Sequence, residues 1–349
     1  MKTFESSLQE KFSTLPTNAT PGFLLRAYHQ GKMVCDTSWG KTWNYYDLAS
    51  LTKIFFTVPW MIRSVHLNKV DLFRPLAKYA PWYTHPIFVK DLLSHSAGNE
   101  WWQPFYKMLD LEAQVEFRKL QLKNKLLETP PSQKKDKAVY SDIDFFLLGF
   151  LLESVYEKKW IELWNEFSSV VFKKEKMHFH EGNQPIFAVD KYAPTENCPW
   201  RRKIIQGEVH DENAWALGGV APHAGLFGSV GAVSEWALWF RNEFYGHKNV
   251  WAEAPLVQKF TERCFPAKKG DWSLGFMLPT EGSASCGRYF SPQSFGHTGF
   301  TGTSFWMDPE KDLMVILLSN RIHPVRSNEL FKKVRPQIHD WVCEGLGLI

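Results

Sequence analysis

Residues 46–53 read Tyr46-Asp47-Leu48-Ala49-Ser50-Leu51-Thr52-Lys53, and an apolar run follows with Leu51, Ile54, Phe55, Val58, Ile62 and Val65 at helical spacing. That spacing predicts a helix over 47–68, with Pro59 bending it or sitting against a bulge. On a helix, positions i and i+3 share a face, which lets Lys53 approach the Ser50 hydroxyl. A helix start also supplies free backbone N–H groups and partial positive charge suited to an oxyanion. Burial lowers a lysine pKa toward that of a usable base. The S-x-x-K pattern occurs twice more, at Ser38–Lys41 in turn-like sequence and at Ser132–Lys135 in a lysine-rich loop; only Ser50 opens a long apolar helix. On this segment alone Ser50 is also readable as the cap of a core helix.

Working outward, two apolar stretches around Gln30-Gly31 in 22–40 predict a β-hairpin. Between Asp71 and Ala232 the pattern is mostly helical, strongest over 86–94, 109–127, 141–155 and 160–172, with a break at Pro130-Pro131. The last third reads as strands at 272–278, 302–307 and 313–318, the final two joined by a turn at Asp308-Pro309-Glu310-Lys311. A closing helix carries Leu330, Phe331, Val334, Ile338, Trp341 and Val342, with Pro336 in its middle. This order implies one sheet domain built from residues 1–65 and 230–349, a mostly helical domain inserted at 66–229, and an active site between them.

The 349 residues carry 41 basic and 37 acidic side chains, a net charge of +4 too mild and mixed for nucleic acid as the main partner. The lysine clusters at Lys134, Lys135 and Lys137 and at Lys173, Lys174 and Lys176 read as solvated surface. Five scattered cysteines without a C-x-x-C argue against a disulfide framework or a zinc site. His178-Phe179-His180 lacks a carboxylate to complete a metal site, and neither metal nor organic cofactor is expected. G-x-S-x-G, Walker and H-E-x-x-H motifs are absent. No apolar run reaches a membrane span, and the first residues show no signal-peptide core. A cytoplasmic protein is therefore expected, or a periplasmic one if a leader was removed, with no membrane or nucleic-acid partner and an open oligomeric state. Aromatic residues reach 15%, including 16 Trp and 27 Phe, enough to make an aromatic-walled cleft worth seeking.

The string from Tyr46 to Lys53 closely resembles the first motif of the serine β-lactamase and penicillin-binding protein superfamily, on its class C and esterase side. Further matches follow in order. Val89-Lys90-Asp91-Leu92-Leu93-Ser94-His95-Ser96-Ala97-Gly98 resembles the segment between the first two motifs. Tyr140-Ser141-Asp142 resembles the Tyr-x-Asn/Asp motif, with Phe145 to Gly149 in the helix after it. Phe295-Gly296-His297-Thr298-Gly299-Phe300-Thr301-Gly302 resembles the third-motif strand. A block from Ala193 to Glu196, through Arg201 and Gly207 to Ala214, to Gly218-Gly219 and His223–Phe227 is similar to a branch holding low-activity penicillin-binding proteins and esterases. Within it His210, Asp211 and Asn213 are readable as cleft rim or as a hydrogen-bonded loop without a catalytic role.

The resemblance spans roughly residues 20 to 345. It implies a β-lactamase/DD-peptidase-like α/β (α+β) fold, an antiparallel sheet flanked by helices. It also implies acyl transfer through Ser50, with Lys53 and Tyr140 sharing the general-base work and the backbone N–H groups of Ser50 and Phe300 forming the oxyanion hole. Asp142, His297, Thr298 and Gly299 would bind substrate. Two departures matter: Asp142 stands where many β-lactamases have Asn, and His297 where the strong ones have Lys. A neutral imidazole attracts a carboxylate less than an ammonium does, and Arg321 is readable as a substitute clamp or as a surface residue at a strand end. Trp101, Trp102 and Phe105 either wall the pocket or pack inside the helical domain. The expected function is a serine hydrolase acting on esters or D-amino-acid amides, with a small-molecule or peptide substrate. The alternatives are a DD-carboxypeptidase or weak β-lactamase, and a non-catalytic scaffold.

Overall fold

The computed structural model describes residues 4–132, 137–266 and 269–349; Lys134 and Lys135, and with Lys135 the last S-x-x-K, lie outside them. Strands β1 (Gly22–His29) and β2 (Lys32–Gly40) form the expected hairpin, with Gln30 and Gly31 at its tip in the left-handed region. Short strands β3 (Tyr46–Asp47), β4 (Asn197–Cys198), β5 (Lys203–Ile204) and β6 (Phe227–Gly228) pair as β3 with β6 and β4 with β5. Near the C-terminus come β7 (Phe295–Thr298), β8 (Ser304–Asp308) and β9 (Leu313–Ser319). The main sheet runs β2-β1-β9-β8-β7 and is antiparallel throughout, so both ends of the chain meet at the β1–β9 pair.

The helices are α1 (Phe4–Phe12), α2 (Val58–His66), α3 (Val89–Leu93), α4 (Val115–Glu128), α5 (Asp142–Tyr156), α6 (Trp160–Val171), α7 (Glu212–Ala216), α8 (Val230–Tyr245), α9 (Ala254–Thr261) and α10 (Leu330–Leu346). Every residue of β9 is buried, because helices cover both sheet faces. Its Leu313, Val315 and Leu317 join a core with Leu8 and Phe12 of α1 and Phe331, Val334, Ile338 and Val342 of α10. Met314, Ile316 and Leu318 face the other way, into a core shared with Phe55, Trp236 and Phe240. Strand alternation sorts the two sets, and each buried aliphatic side chain contributes about 1.5–3 kcal/mol.

Four readings of the sequence are corrected. The helix expected over 47–68 is a strand, a turn and then a helix: Asp47 pairs in β3, Ala49 and Ser50 form the turn, and helical structure begins at Leu51. A π-helical turn over Lys53–Thr57 precedes α2, so Pro59 sits in the first turn of α2 against that bulge. Helix 109–127 begins only at Val115, because the Asp110 carboxylate accepts the Glu112 N–H and holds a turn. The helix at 86–94 shrinks to the five residues of α3. The strand expected at 272–278 is a tight reversal instead, with isolated bridges Trp272–Met277 and Met277–Gly296 and Gly275 at φ +101°. Conversely α1 forms where the sequence reading placed no element, because Leu8 and Phe12 reach the core.

Gly275 carries both constraints of that reversal. Its φ disfavours any L side chain, and a Cβ there would lie 2.3 Å from Val58 Cγ2. Gly275→Ala is expected to destabilise the chain by about 2–4 kcal/mol. Urea unfolding read by far-UV circular dichroism measures this; a change within about 0.5 kcal/mol would refute the steric account.

Candidate active site

Ser50 sits on a tightly held turn. Ala49 is left-handed at φ 48°, and its N–H donates to Asp47 Oδ1 at 2.8 Å. Asp47 Oδ2 accepts the His210 N–H at 2.7 Å, so one buried carboxylate ties the Ser50 turn to the 207–214 loop. Leu51, Thr52 and Lys53 N–H groups donate three residues back, to Leu48, Ala49 and Ser50. The nucleophile candidate therefore sits at a constrained helix start.

Three groups converge on its hydroxyl. Lys53 Nζ lies 3.2 Å from Ser50 Oγ, 2.6 Å from Asp142 Oδ1 and 3.1 Å from the His223 carbonyl. The Tyr140 hydroxyl lies 2.8 Å from Ser50 Oγ and 3.1 Å from Asp142 Oδ1, and has one proton for the two acceptors. Lys53 is fully buried; burial pushes its pKa below the ordinary lysine value, while Asp142 pulls the other way. Burial, then the Asp142 charge, pushes the Tyr140 phenol well above its usual range. Asp142 opens α5, where its charge complements the helix dipole, and Ser141 caps that helix.

The third motif forms the opposite wall. The Gly299 N–H donates to the Thr303 carbonyl at 2.7 Å, and Thr301 Oγ1 donates to the Asp47 carbonyl at 2.7 Å. A Cβ on Gly299 would lie 2.1 Å from Thr303 Oγ1 and 2.8 Å from the Leu48 carbonyl, so this close approach to the Ser50 turn requires glycine. Phe300, 44% exposed, carries its ring between the His210 imidazole (5.6 Å, 16° between planes) and the Arg321 guanidinium (5.0 Å). His297 is buried, its Nδ1 lies 2.9 Å from the Thr298 carbonyl, and its pKa is pushed down to about 3 by burial and then by Lys53, which favours the neutral imidazole.

Ser50, Tyr140, Asp142, His297, Thr298, Gly299, Phe300, Trp101, Trp102 and Arg321 all line one cavity of about 480 Å³, with Lys53 in its floor. Trp101 and Trp102 thus face the cavity: they stack at 5.7 Å, Trp101 is 62% exposed, and its carbonyl accepts the Asp142 N–H. Phe105 packs inside against Phe146 instead. Arg321 is buried, not a surface residue. Trp272, Met277, Asp211, Glu212 and Arg335 also line it. Trp272 stacks on Tyr140 at 5.4 Å, a contact made by the Gly275 reversal that no sequence pattern announces. Asp211 caps α7 and accepts from His223 Nε2 at 3.1 Å. Asp142, Asp211 and His223 place three ligand-type atoms within 4.8 Å, but the Lys53 ammonium against Asp142 already supplies a cation there.

A second layer braces this arrangement. His95 Nδ1 accepts the Ser141 N–H at 3.2 Å and lies 3.0 Å from Asp144 Oδ2. Burial pushes the Asp144 carboxyl well up and the His95 imidazole well down, so both groups are held toward their uncharged forms. Across the cavity, Arg326 bridges Glu196 and Glu212, and His210 Nε2 lies 3.0 Å from Glu196. Burial opposes ionisation of Glu196, but hydrogen bonds from His210 and Arg326 outweigh it and hold the pKa at about 2. Arg326→Ala takes the ion-pair partner from Glu212 and leaves Glu196 with His210 alone, and is expected to cost about 1–3 kcal/mol, more than the exposed Arg288→Ala. Urea titrations of both variants test this; equal losses would refute the bridging role.

Three known proteins and one family model resemble this chain. The chain is 28% identical over 325 residues to the "Putative D-alanyl-D-alanine carboxypeptidase" of Salmonella heidelberg strain SL476, covering 84% of this chain and 72% of that protein. It superposes on EstCE1, a hydrolase with promiscuous acyltransferase activity, at TM-score 0.72 and 15% identity, over 95% of this chain and 98% of the other. The octameric penicillin-binding protein homologue from Pyrococcus abyssi matches at TM-score 0.69 and 16% identity, over 99% and 77%. The Beta-lactamase family model matches residues 8–335, nearly the whole chain, and the protein belongs to that family of serine hydrolases.

Proposed function

We propose that this protein hydrolyses esters or D-amino-acid amides through an acyl-enzyme on Ser50. The observation that carries the reading is Ser50 Oγ held between Lys53 Nζ and the Tyr140 hydroxyl at 3.2 and 2.8 Å, in the wall of an aromatic cavity. Ser50 Oγ attacks the carbonyl carbon and its proton passes to Lys53, directly or through Tyr140. The carbonyl oxygen becomes an oxyanion facing the Ser50 and Phe300 N–H groups. Collapse breaks the bond to the leaving alcohol or amine, which takes the proton back. Water then attacks the acyl group, gives up a proton by the same route, and frees Ser50. Of the two bases, Lys53 is favoured, since burial lowers its pKa while that of Tyr140 is raised. The curated relatives support a second reading, a D-alanyl-D-alanine carboxypeptidase, which stable labelling of Ser50 by fluorescent penicillin would favour.

Ser50→Ala is expected to lower kcat/KM for p-nitrophenyl butyrate by about 10⁴-fold or more, and intact-mass spectrometry after activated-ester exposure should show one acyl adduct that this variant lacks. Unchanged turnover in Ser50→Ala overturns the reading. If no ester or penicillin acylates the native chain, the scaffold reading stands instead.

The pH profile tests the base. Activity requires neutral Lys53, so it rises with pH through the Lys53 pKa. Asp142 raises that pKa, and Asp142→Asn should move the acid limb of kcat/KM to lower pH. A limb that stays fixed or moves up removes Lys53 as the base.

A further inference from the structure

Among the described residues five phenyl, phenol and indole rings line the cavity, and four of them are engaged by neighbours. Tyr140 stacks on Trp272 at 5.4 Å, with the Lys53 ammonium 5.0 Å from its ring and His95 at 4.9 Å. Trp272 meets His95 edge to face at 4.6 Å and is buried. Phe300 is held between His210 and Arg321. Trp102 lies against Trp101 on one side and Tyr106, at 6.4 Å, on the other. Trp101 differs. Its one ring contact among the described residues is the stack on Trp102, with 27° between planes, and the rest of the indole is open. Elsewhere the fold takes large indoles inside: Trp60, Trp236 and Trp306 are fully buried. An indole left open to water forgoes a large apolar burial, and a ligand that covers it recovers that burial.

The open ring stands on a braced segment. Ser141 Oγ donates to the Glu100 carbonyl at 2.6 Å and the Asp142 N–H to the Trp101 carbonyl at 2.9 Å. The indole pair is thus fastened to the residues that follow the Tyr140 phenol. From the other side Asn213 of α7 accepts the Tyr106 N–H and donates to the Gln103 carbonyl, both at 2.9 Å. The stretch from Glu100 to Tyr106 is therefore tied to two separate elements. A ring set in place before a ligand arrives loses little freedom when it is covered. A flat ring meets an indole face with all its atoms in one plane, whereas a puckered ring or a chain meets it with a few.

We infer that Trp101, backed by Trp102, is a stacking platform, and that the substrates carry an uncharged aryl group on the molecule whose carbonyl Ser50 attacks. The platform is joined to Asp142 through backbone and not to Ser50 Oγ, so the aryl group belongs to a part of the substrate away from the scissile bond. Trp101 sets specificity by stacking and takes no part in bond making. The statement about substrates rests on the hydrolase reading; the statement about binding does not.

The test uses the full chain with Ser50→Ala, titrated by calorimetry with 4-phenyl-2-butanone and with 4-cyclohexyl-2-butanone, ketones of one length that cannot be hydrolysed. The cyclohexyl group is the more apolar, so burial alone favours it, and a preference for phenyl reports stacking. The phenyl ketone is expected to bind about threefold tighter or more. Adding Trp101→Ala should erase that preference, Trp101→Phe should keep part of it, and Phe73→Ala, an exposed ring outside the cavity, should leave it intact. Equal affinity for the two ketones, or a phenyl preference that survives Trp101→Ala, overturns the proposal. Should Trp101→Ala fail the circular-dichroism check for folding, the ketone comparison and Trp101→Phe decide. In native Ser50 protein, kcat/KM should favour methyl 3-phenylpropanoate over methyl 3-cyclohexylpropanoate, or 2-phenylethyl acetate over 2-cyclohexylethyl acetate, and Trp101→Ala should collapse whichever ratio is raised. Ketone discrimination without any ester turnover would fault the hydrolase reading alone; turnover with no aryl preference in either ester pair would overturn the substrate class inferred from the platform.

Discussion

The Lys53 ammonium has no contact with solvent, and its three partners come from distant parts of the chain: the Ser50 turn, the start of α5 through Asp142, and the His223 carbonyl before β6. A buried charge left without those partners costs several kcal/mol, so the cavity floor forms only when all three segments arrive together. The π-helical turn over Lys53–Thr57 belongs to the same constraint. It adds phase between Lys53 and α2, so α2 keeps Trp60, Met61 and Ile62 in the core while Lys53 turns to Ser50. Widened turns of this kind recur where a helix must serve a site and a core at once.

The opposite wall is held by backbone rather than by charge. The 299–303 turn is fastened to the Ser50 segment through Thr301 and the Asp47 carbonyl, and Asp47 in turn holds Ala49 and His210. Phe300 is clamped between His210 and Arg321, which fixes the peptide that presents its N–H. In the proposed mechanism, donors fixed before substrate arrives need no reorganisation in the transition state, which is where oxyanion stabilisation gains its size.

What was legible in the sequence follows from how local each cause is. The Ser50–Lys53 pair is an i,i+3 relation, and β9 is an unbroken apolar run; both are visible without tertiary knowledge. Tyr140-Ser141-Asp142 announces itself as a helix start. Trp272 does not: its alternating neighbourhood looks like a strand, and only the positive φ of Gly275 and the packing of Val58 turn it back onto Tyr140. Asp211 and His223 meet across a loop closure that no spacing encodes. Helix α1 turns only Phe4, Leu8 and Phe12 to the core among the described residues, a short stripe set in polar sequence.

Asp142 sets a trade-off within the proposed chemistry. An asparagine would offer Lys53 and Tyr140 the same acceptor oxygen without charge. The carboxylate favours the ammonium form of Lys53, which opposes its use as a base, and raises the Tyr140 phenol, which keeps that proton in place. The floor is therefore rich in protons. Acylation by an activated ester depends on taking a proton from Ser50, and a proton-rich floor slows it. Expulsion of an amine depends on giving a proton to the leaving nitrogen, and the same floor assists it. The Tyr140 hydroxyl, 2.8 Å from Ser50 and 3.1 Å from Asp142, can swing its proton between the two acceptors without moving a heavy atom. On this chemistry, poor leaving groups lose less relative to good ones than they would with an uncharged residue at position 142.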